Sequence, residues 1–453
     1  MGEVLSFWDF ILTPMYMLII YLIAYQIKAK QIIKHPEYKY FVKGLTFKIF
    51  GGIAFALVYV FWYNGGDTHT YFLDSIVIVK MLFHKPLIAF SILANNLSME
   101  NYAHFDYTTL WPHLYVWRDP NTFTVVRYSV ILTLLGANTY IPSTILVSCL
   151  SYLGVWKLFQ LFNKLYSTHT KYLAIAILFM PSFVFWGSGI MKDTYIIGAT
   201  CWITYNFYQI FISNKKISIN IFLFIINFII ILNIKPYVMG CLIPSMLLWL
   251  NQAYIQKIKS TFFKSIVFPF IILTIGFSGS YIFSEVSKSM GDYSSVDNVI
   301  DKARVTQQDL LRESQYGSNS YDLGEINGST LGILRIAPLA IFTTLYRPFV
   351  TEIGNPLMAL SALENLSLLI FTLIIILKTS PVRMLNILRQ NPILQYSLIF
   401  SIMLAFGVGL ATANFGALVR YKIPLVPFYF STLFLIYQIS EKEKIRRKSY
   451  KKY

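Results

Sequence analysis

Apolar runs of about 18 to 25 residues recur from end to end of this chain, and each is long enough to cross about 30 Å of hydrocarbon as a helix. Barrel strands would instead alternate apolar and polar residues over about ten positions, so a membrane β-barrel is excluded. Composition agrees: 56% of residues are hydrophobic and 13% charged, against about 25% charged in ordinary soluble domains. The expected fold is all-α, a polytopic integral membrane protein.

About eleven spans are expected, near 6–27, 44–63, 138–162, 172–190, 194–212, 219–234, 236–252, 265–284, 355–378, 394–412 and 420–438. The first run lacks the basic start and small-residue cleavage site of a removable signal and is read as a span. Lys28, Lys30, Lys34, Lys39, Lys43 and Lys48 cluster after it, and Lys442, Lys444, Arg446, Arg447, Lys448, Lys451 and Lys452 crowd the tail. Positive short loops stay in the cytoplasm. With an odd number of spans the N-terminus is then outside and the C-terminus inside. The formal net charge of +17 follows from this topology and from anionic headgroups, not from nucleic acid. Cys149, Cys201 and Cys241 lie inside apolar runs without paired spacing, as small buried hydrophobes do.

The organisation that follows is residues 1–63, N-terminal spans; 64–137, an outer segment with interfacial helices; 138–284, a central bundle; 285–354, an outer lid-like segment; 355–438, a C-terminal bundle; and 439–453, a basic cytoplasmic tail. In the first outer segment the apolar stretch 75–95 reads as helix lying in the interface. The piece 125–137 reads as interfacial or re-entrant, although pairing it with 75–94 as two further spans keeps the same topology. Trp111, Tyr115 and Trp117 suit headgroup depth. The second outer segment opens with an acid-rich stretch containing Asp292, Asp297, Asp301, Asp309, Glu313, Asp322 and Glu325.

The residues suited to chemistry fall on one side of this topology. Asp67 and His69 follow the second span, Trp186 to Asp193 joins two spans, and Lys235-Pro236-Tyr237 does so again. Arg347 and Glu352 close the second outer segment, and Arg420 and Lys422 precede the last span. A carboxylate such as Asp67 accepts a proton from an attacking hydroxyl, and cations bind a lipid phosphate and stabilise the charge it carries away. No Walker or Rossmann glycine loop is present, in keeping with a lipid-linked donor.

Three features together resemble the C-type (GT-C-like) integral membrane glycosyltransferases and the related bacterial exopolysaccharide and O-antigen polymerases. They are the motif Gly65-Gly66-Asp67-Thr68-His69-Thr70-Tyr71, the turn Phe185-Trp186-Gly187-Ser188-Gly189-Ile190-Met191-Lys192-Asp193, and the late Arg420-Tyr421-Lys422-Ile423-Pro424. The resemblance implies Asp67 as catalytic base and Lys192, Arg347, Arg420 and Lys422 as contacts to the carrier phosphate. His69, Asp193 and Glu352 complete the expected substrate-binding set, with Tyr71 and Trp186 stacking on sugar. Partners would be a polyprenyl-linked sugar donor, a glycan or lipid-linked acceptor and membrane lipids, in a bacterial inner membrane. Members commonly carry a pair of acids after the first span. Here Asp67 follows the second span, Gly66 precedes it, and the nearest second acid is Asp74, seven residues on.

Other readings stay open. Asp67 can cap a helix, Lys192 and Asp193 can neutralise each other, and Arg420 and Lys422 can anchor at headgroups. No cofactor is required, but His69, His104 and His113 share one segment and leave a divalent metal open. Glu364, inside a span, should face protein or a basic partner. A transporter or flippase of a lipid-linked glycan would use Glu364 and helices broken near Pro181 and Pro236, but the two halves carry no clear repeat. Repeat-unit polymerisation is the alternative within the glycosyltransferase class.

Overall fold

The computed structural model describes residues 4–255, 305, 308, 321, 330–354 and 356–450. The expected span 265–284 and the acid-rich stretch 292–325, apart from positions 305, 308 and 321, lie outside them. Among the described residues the chain is helical with no strand. Among the described residues seven helices are long and apolar enough to cross a membrane, by length and composition.

The described residues fall into two compact units, one from Met1–Thr170, Phe183–Tyr205 and Phe222–Lys235, the other from Lys171–Ser182, Asn206–Ile221 and Pro236–Tyr453. The first unit opens with α1 (Phe7–Gln31), α2 (Phe41–Phe61), α3 (Asp67–His84), α4 (Pro86–Leu93), α5 (Met99–Tyr102), α6 (Leu114–Trp117), α7 (Pro120–Leu135) and α8 (Tyr140–Leu165). Helix α2 packs along α8, and α3 along α7. Burying apolar surface gains little between helices in lipid, so close packing has to hold them. Gly52 permits the approach of α2 to α8: a Cβ there would collide with the Ser148 hydroxyl of α8.

Along α1 most of the surface is uncovered, with Phe7 74% and Leu18 62% exposed. Its polar anchor is Asp9, which is fully buried. One carboxylate oxygen accepts the Ser6 N–H at 2.8 Å and the other accepts the Ile141 N–H at 2.8 Å, in the first turn of α8. Such early amides have no partner within their own helix.

The stretch 172–190, expected as one span, forms two short helices instead, α9 (Thr170–Leu178) and α10 (Pro181–Trp186). Pro181 starts the second, where its missing N–H costs nothing. Next come α11 (Lys192–Phe207), which runs into a π-turn at Tyr208–Ile212, then α12 (Ile217–Ile234) and α13 (Pro236–Ile255). After them stand α14 (Thr330–Tyr346), α15 (Pro356–Lys378), α16 (Pro381–Gln390), α17 (Pro392–Ala411), α18 (Phe415–Tyr421) and α19 (Val426–Tyr450). In the second unit α17 is central, packing on α14, α13 and α19. Tyr396 stacks on Trp249 with ring centroids 4.9 Å apart, and Thr344 Oγ1 donates to the Ala405 carbonyl at 2.8 Å.

The segment 64–137 is largely helical, as expected, but α3 is not a helix with one covered face. Thr68, Tyr71, Phe72, Asp74, Ser75, Val77, Ile78, Val79 and Met81 are all buried. Lys48, grouped in sequence with the cytoplasmic lysines, lies within α2 and is 2% exposed, its ammonium 4.9 Å from the Phe183 ring centroid.

Candidate functional site

Asn64, Gly65 and Gly66 all take positive φ, which turns the chain sharply from α2 into α3. Gly66, at φ +109°, is the N-cap, so Asp67 is the first helical residue rather than the cap. A carboxylate in a first turn is favoured by the helix dipole. Asp67 is half-buried.

Two pairs of opposite charge lie in the same unit. Lys192, the first residue of α11, donates to Thr122 Oγ1 at 2.5 Å and stands 3.8 Å from Asp119 Oδ2. Asp119 is the N-cap of α7, accepting from the Asn121 amide at 3.0 Å. Burial lowers the Lys192 pKa, Asp119 and Asp67 raise it, and Lys235 lowers it, with a net downward shift. Lys235 itself pairs with Asp193 at 2.5 Å, the two side chains 6% and 1% exposed. The ion pairs formed are thus Lys192–Asp119 and Lys235–Asp193, rather than the alternative of a self-neutralising Lys192–Asp193 turn. Neighbours on a helix point about 100° apart, so each takes a partner from elsewhere.

Tyr71 and Trp186 are buried at 4% and 7% exposure. Trp186 meets Phe55 and Phe185 edge-on, with centroids 6.0 and 5.1 Å away, so packing partners already occupy the surroundings of that ring. His69 lies edge-on to Tyr140 at 5.3 Å, its Nε2 is buried without a hydrogen bond, and burial lowers its pKa.

His113, grouped in sequence with His69 and His104, has a specific partner that sequence did not indicate. Its Nδ1 and backbone N–H both bond Asp74 Oδ1, at 2.7 and 3.1 Å. Asp74 is 1% exposed and the imidazole 45%. The bond to Asp74 raises the His113 pKa above its ordinary value, against a smaller effect of burial. His104 contributes its carbonyl to Lys85 at 2.6 Å. Among the described residues no three His, Cys, Asp or Glu side chains group to hold a metal.

No family model, curated protein or solved structure matches the chain. The second unit therefore has to be read from its own geometry. Arg347 holds Glu352 through its Nε at 3.0 Å and through Nη2, and its guanidinium lies 5.3 and 5.0 Å from the Tyr321 and Phe415 ring centroids. Burial works against ionisation of Glu352, but Arg347 and the Phe349 amide together hold its pKa below the usual value.

Lys422 departs from its expected role. It is 3% exposed and donates to the Thr344 carbonyl at 3.0 Å, the Arg347 carbonyl at 3.3 Å and Asn365 Oδ1 at 2.8 Å. An ammonium has three donors, and all three are used, so Lys422 is a structural clamp and not an open phosphate contact. Glu364 faces protein, accepting the Ser182 N–H at 2.8 Å and its hydroxyl at 2.5 Å. It borders a cavity of about 10 Å³ with Asn365, Leu368 and Lys422, room for at most one water. Arg420 is half-buried in the last turn of α18.

Proposed function

We propose that this chain is a membrane glycosyltransferase of a bacterial inner membrane. It moves a sugar or glycan unit from a polyprenyl-phosphate-linked donor to an acceptor at the outer face, in envelope polysaccharide or glycoconjugate synthesis. The observation that carries the reading is the opening of two helices of the first unit: Asp67 stands half-buried as the first residue of α3, and Lys192, the first residue of α11, keeps its ammonium partly exposed while Thr122 and Asp119 hold it. A general base and a cation near each other suit displacement of a lipid phosphate by a hydroxyl.

In this scheme Asp67 takes the hydroxyl proton. Lys192, held by Thr122 and Asp119, stabilises the phosphate as the bond to sugar breaks. In the second unit Lys422 and Glu364 hold the packing together.

The test is complementation of a deletion strain with wild type or Asp67→Asn at equal membrane levels, followed by profiling of polyprenyl-linked glycans. Asp67→Asn should leave an unextended lipid-linked intermediate that wild type consumes, and purified protein should reproduce the difference without a gradient. A complete glycan profile from Asp67→Asn would remove Asp67 as the base and favour transport.

A further inference from the structure

Asp67, Thr70 and Asp74 stand at i, i+3 and i+7 on α3, so they share one face. Seven residues of helix separate the two acids by roughly 10 Å along the axis. Between them the Tyr115 hydroxyl donates to Thr70 Oγ1 at 3.0 Å. Burial raises the Tyr115 pKa, and Asp67 and Asp74 both add to the rise. One phenol senses both carboxylates.

Only Asp67 of the two is open enough to act directly. Asp74 is buried, with Oδ2 lacking a hydrogen-bond partner and Oδ1 committed to His113. A buried carboxylate is costly unless a counter-charge stands against it. The imidazole, bonded to Oδ1 at 2.7 Å, supplies that counter-charge when it is protonated. With Nδ1–H held by Asp74, a protonated ring carries its second N–H on Nε2, which has no protein partner among the described residues.

We propose that His113, aligned by Asp74, donates a proton to the phosphate oxygen that leaves the sugar, opposite Asp67 as proton acceptor on the same face of α3. The assignment rests on the glycosyl-transfer reading above. The acceptor oxygen bonds to the anomeric carbon as the bond from that carbon to the phosphate oxygen breaks. The breaking bond's electron pair stays on the phosphate. The hydroxyl proton passes to Asp67 and the Nε2 proton to the leaving oxygen; exchange with water then restores both groups. Asp74 is a positioning residue, because it touches only the imidazole.

The charge bearing on His113 is that of Asp74. Around that carboxylate the other titratable groups are Tyr102 and Tyr115, with Arg118 acting on Tyr102. Both phenols are raised above their ordinary value and so lie further from neutrality, and a midpoint above the ordinary histidine value of about 6.5 belongs to the His113–Asp74 pair.

Full-length wild type, His113→Gln, Asp74→Asn and Lys192→Gln, each in nanodiscs, are titrated with polyprenyl monophosphate between pH 5.5 and 9. The probe's own ionisation is common to all four proteins and cancels in their comparison. Wild-type affinity should exceed that of His113→Gln by roughly 10- to 100-fold on the acid side, the worth of a hydrogen bond between charged groups. The excess should vanish as pH rises through the midpoint. Asp74→Asn should move that midpoint down, and Lys192→Gln should weaken binding at every pH without moving it. Superimposable wild-type and His113→Gln profiles, or an unmoved midpoint in Asp74→Asn, overturn the His113 assignment and leave glycosyl transfer standing. No saturable binding by wild type overturns the glycosyl-transfer reading, and the assignment falls with it.

Discussion

Replacing Asp193 with Asn leaves the Lys235 ammonium, 6% exposed, without the carboxylate that stands 2.5 Å away. Both charges have already given up water, so the loss is not that of a surface ion pair. Removing one partner of a buried pair costs about 3–5 kcal/mol, because the remaining charge stays desolvated. That is a shift on the order of a hundred- to a few-thousand-fold in the folded-to-unfolded ratio. Lys235→Met should cost a similar amount by stranding Asp193. The double variant should recover much of either loss, since a buried pair replaced by neutral groups is often near neutral in stability. Steric trapping of wild type, both single variants and the double variant in the same bilayer measures the cycle. If the single losses simply add within about 0.5 kcal/mol, the two residues do not act as a pair and the reasoning fails.

Lys422→Met should destabilise by about 1–3 kcal/mol for each buried acceptor it orphans among Thr344, Arg347 and Asn365. Donor KM of the protein that folds should stay unchanged, a result read by thermal unfolding beside steady-state kinetics. Because the His113 pKa is raised in the folded chain, the Asp74 pair contributes stability that is full below about pH 6.5 and lost as pH rises through the raised value. Wild type should therefore lose Tm relative to Asp74→Asn between pH 5.5 and pH 8.5, and parallel curves would contradict the pairing. Asp9→Ala should free the Ile141 amide and cost about 1–3 kcal/mol, with α1 becoming more accessible to a cysteine-reactive probe placed along its length.

Much of the architecture was legible because periodicity and length are local properties. Helices α1, α2, α8, α12, α15 and α17 lie where apolar runs predict them. The break at 172–190 was legible only as Pro181, since nothing nearby says whether proline bends a span or ends it. The candidate site was partly legible. Asp67 was singled out from its place at the end of an apolar run and Lys192 from a separate turn, and the fold puts both in the first unit. Partner choice was not legible: adjacent Lys192 and Asp193 look paired in sequence, yet their helical directions diverge and each binds an oppositely charged residue far along the chain. Asp74 and His113, 39 residues apart, carry no local pattern that would join them. Lys422 looked like an anchoring cation because charge in an apolar context suggests an interface. Its three acceptors come from α14, α15 and the carbonyl of Arg347, which only the folded chain assembles.

The Asp9 contact also bears on the order in which this chain can be built. Its donor partner in α8, the Ile141 N–H, lies 132 residues later, so during synthesis the first helix emerges with one carboxylate oxygen whose bond is still to be made. Until residues 140 and 141 are made, that end of α1 has to stay in water or in the insertion machinery. The rest of the helix, largely uncovered by protein, meets no such delay. Docking of α1 is therefore a late event by construction, and the chain carries in Asp9 a checkpoint that reports whether α8 has arrived.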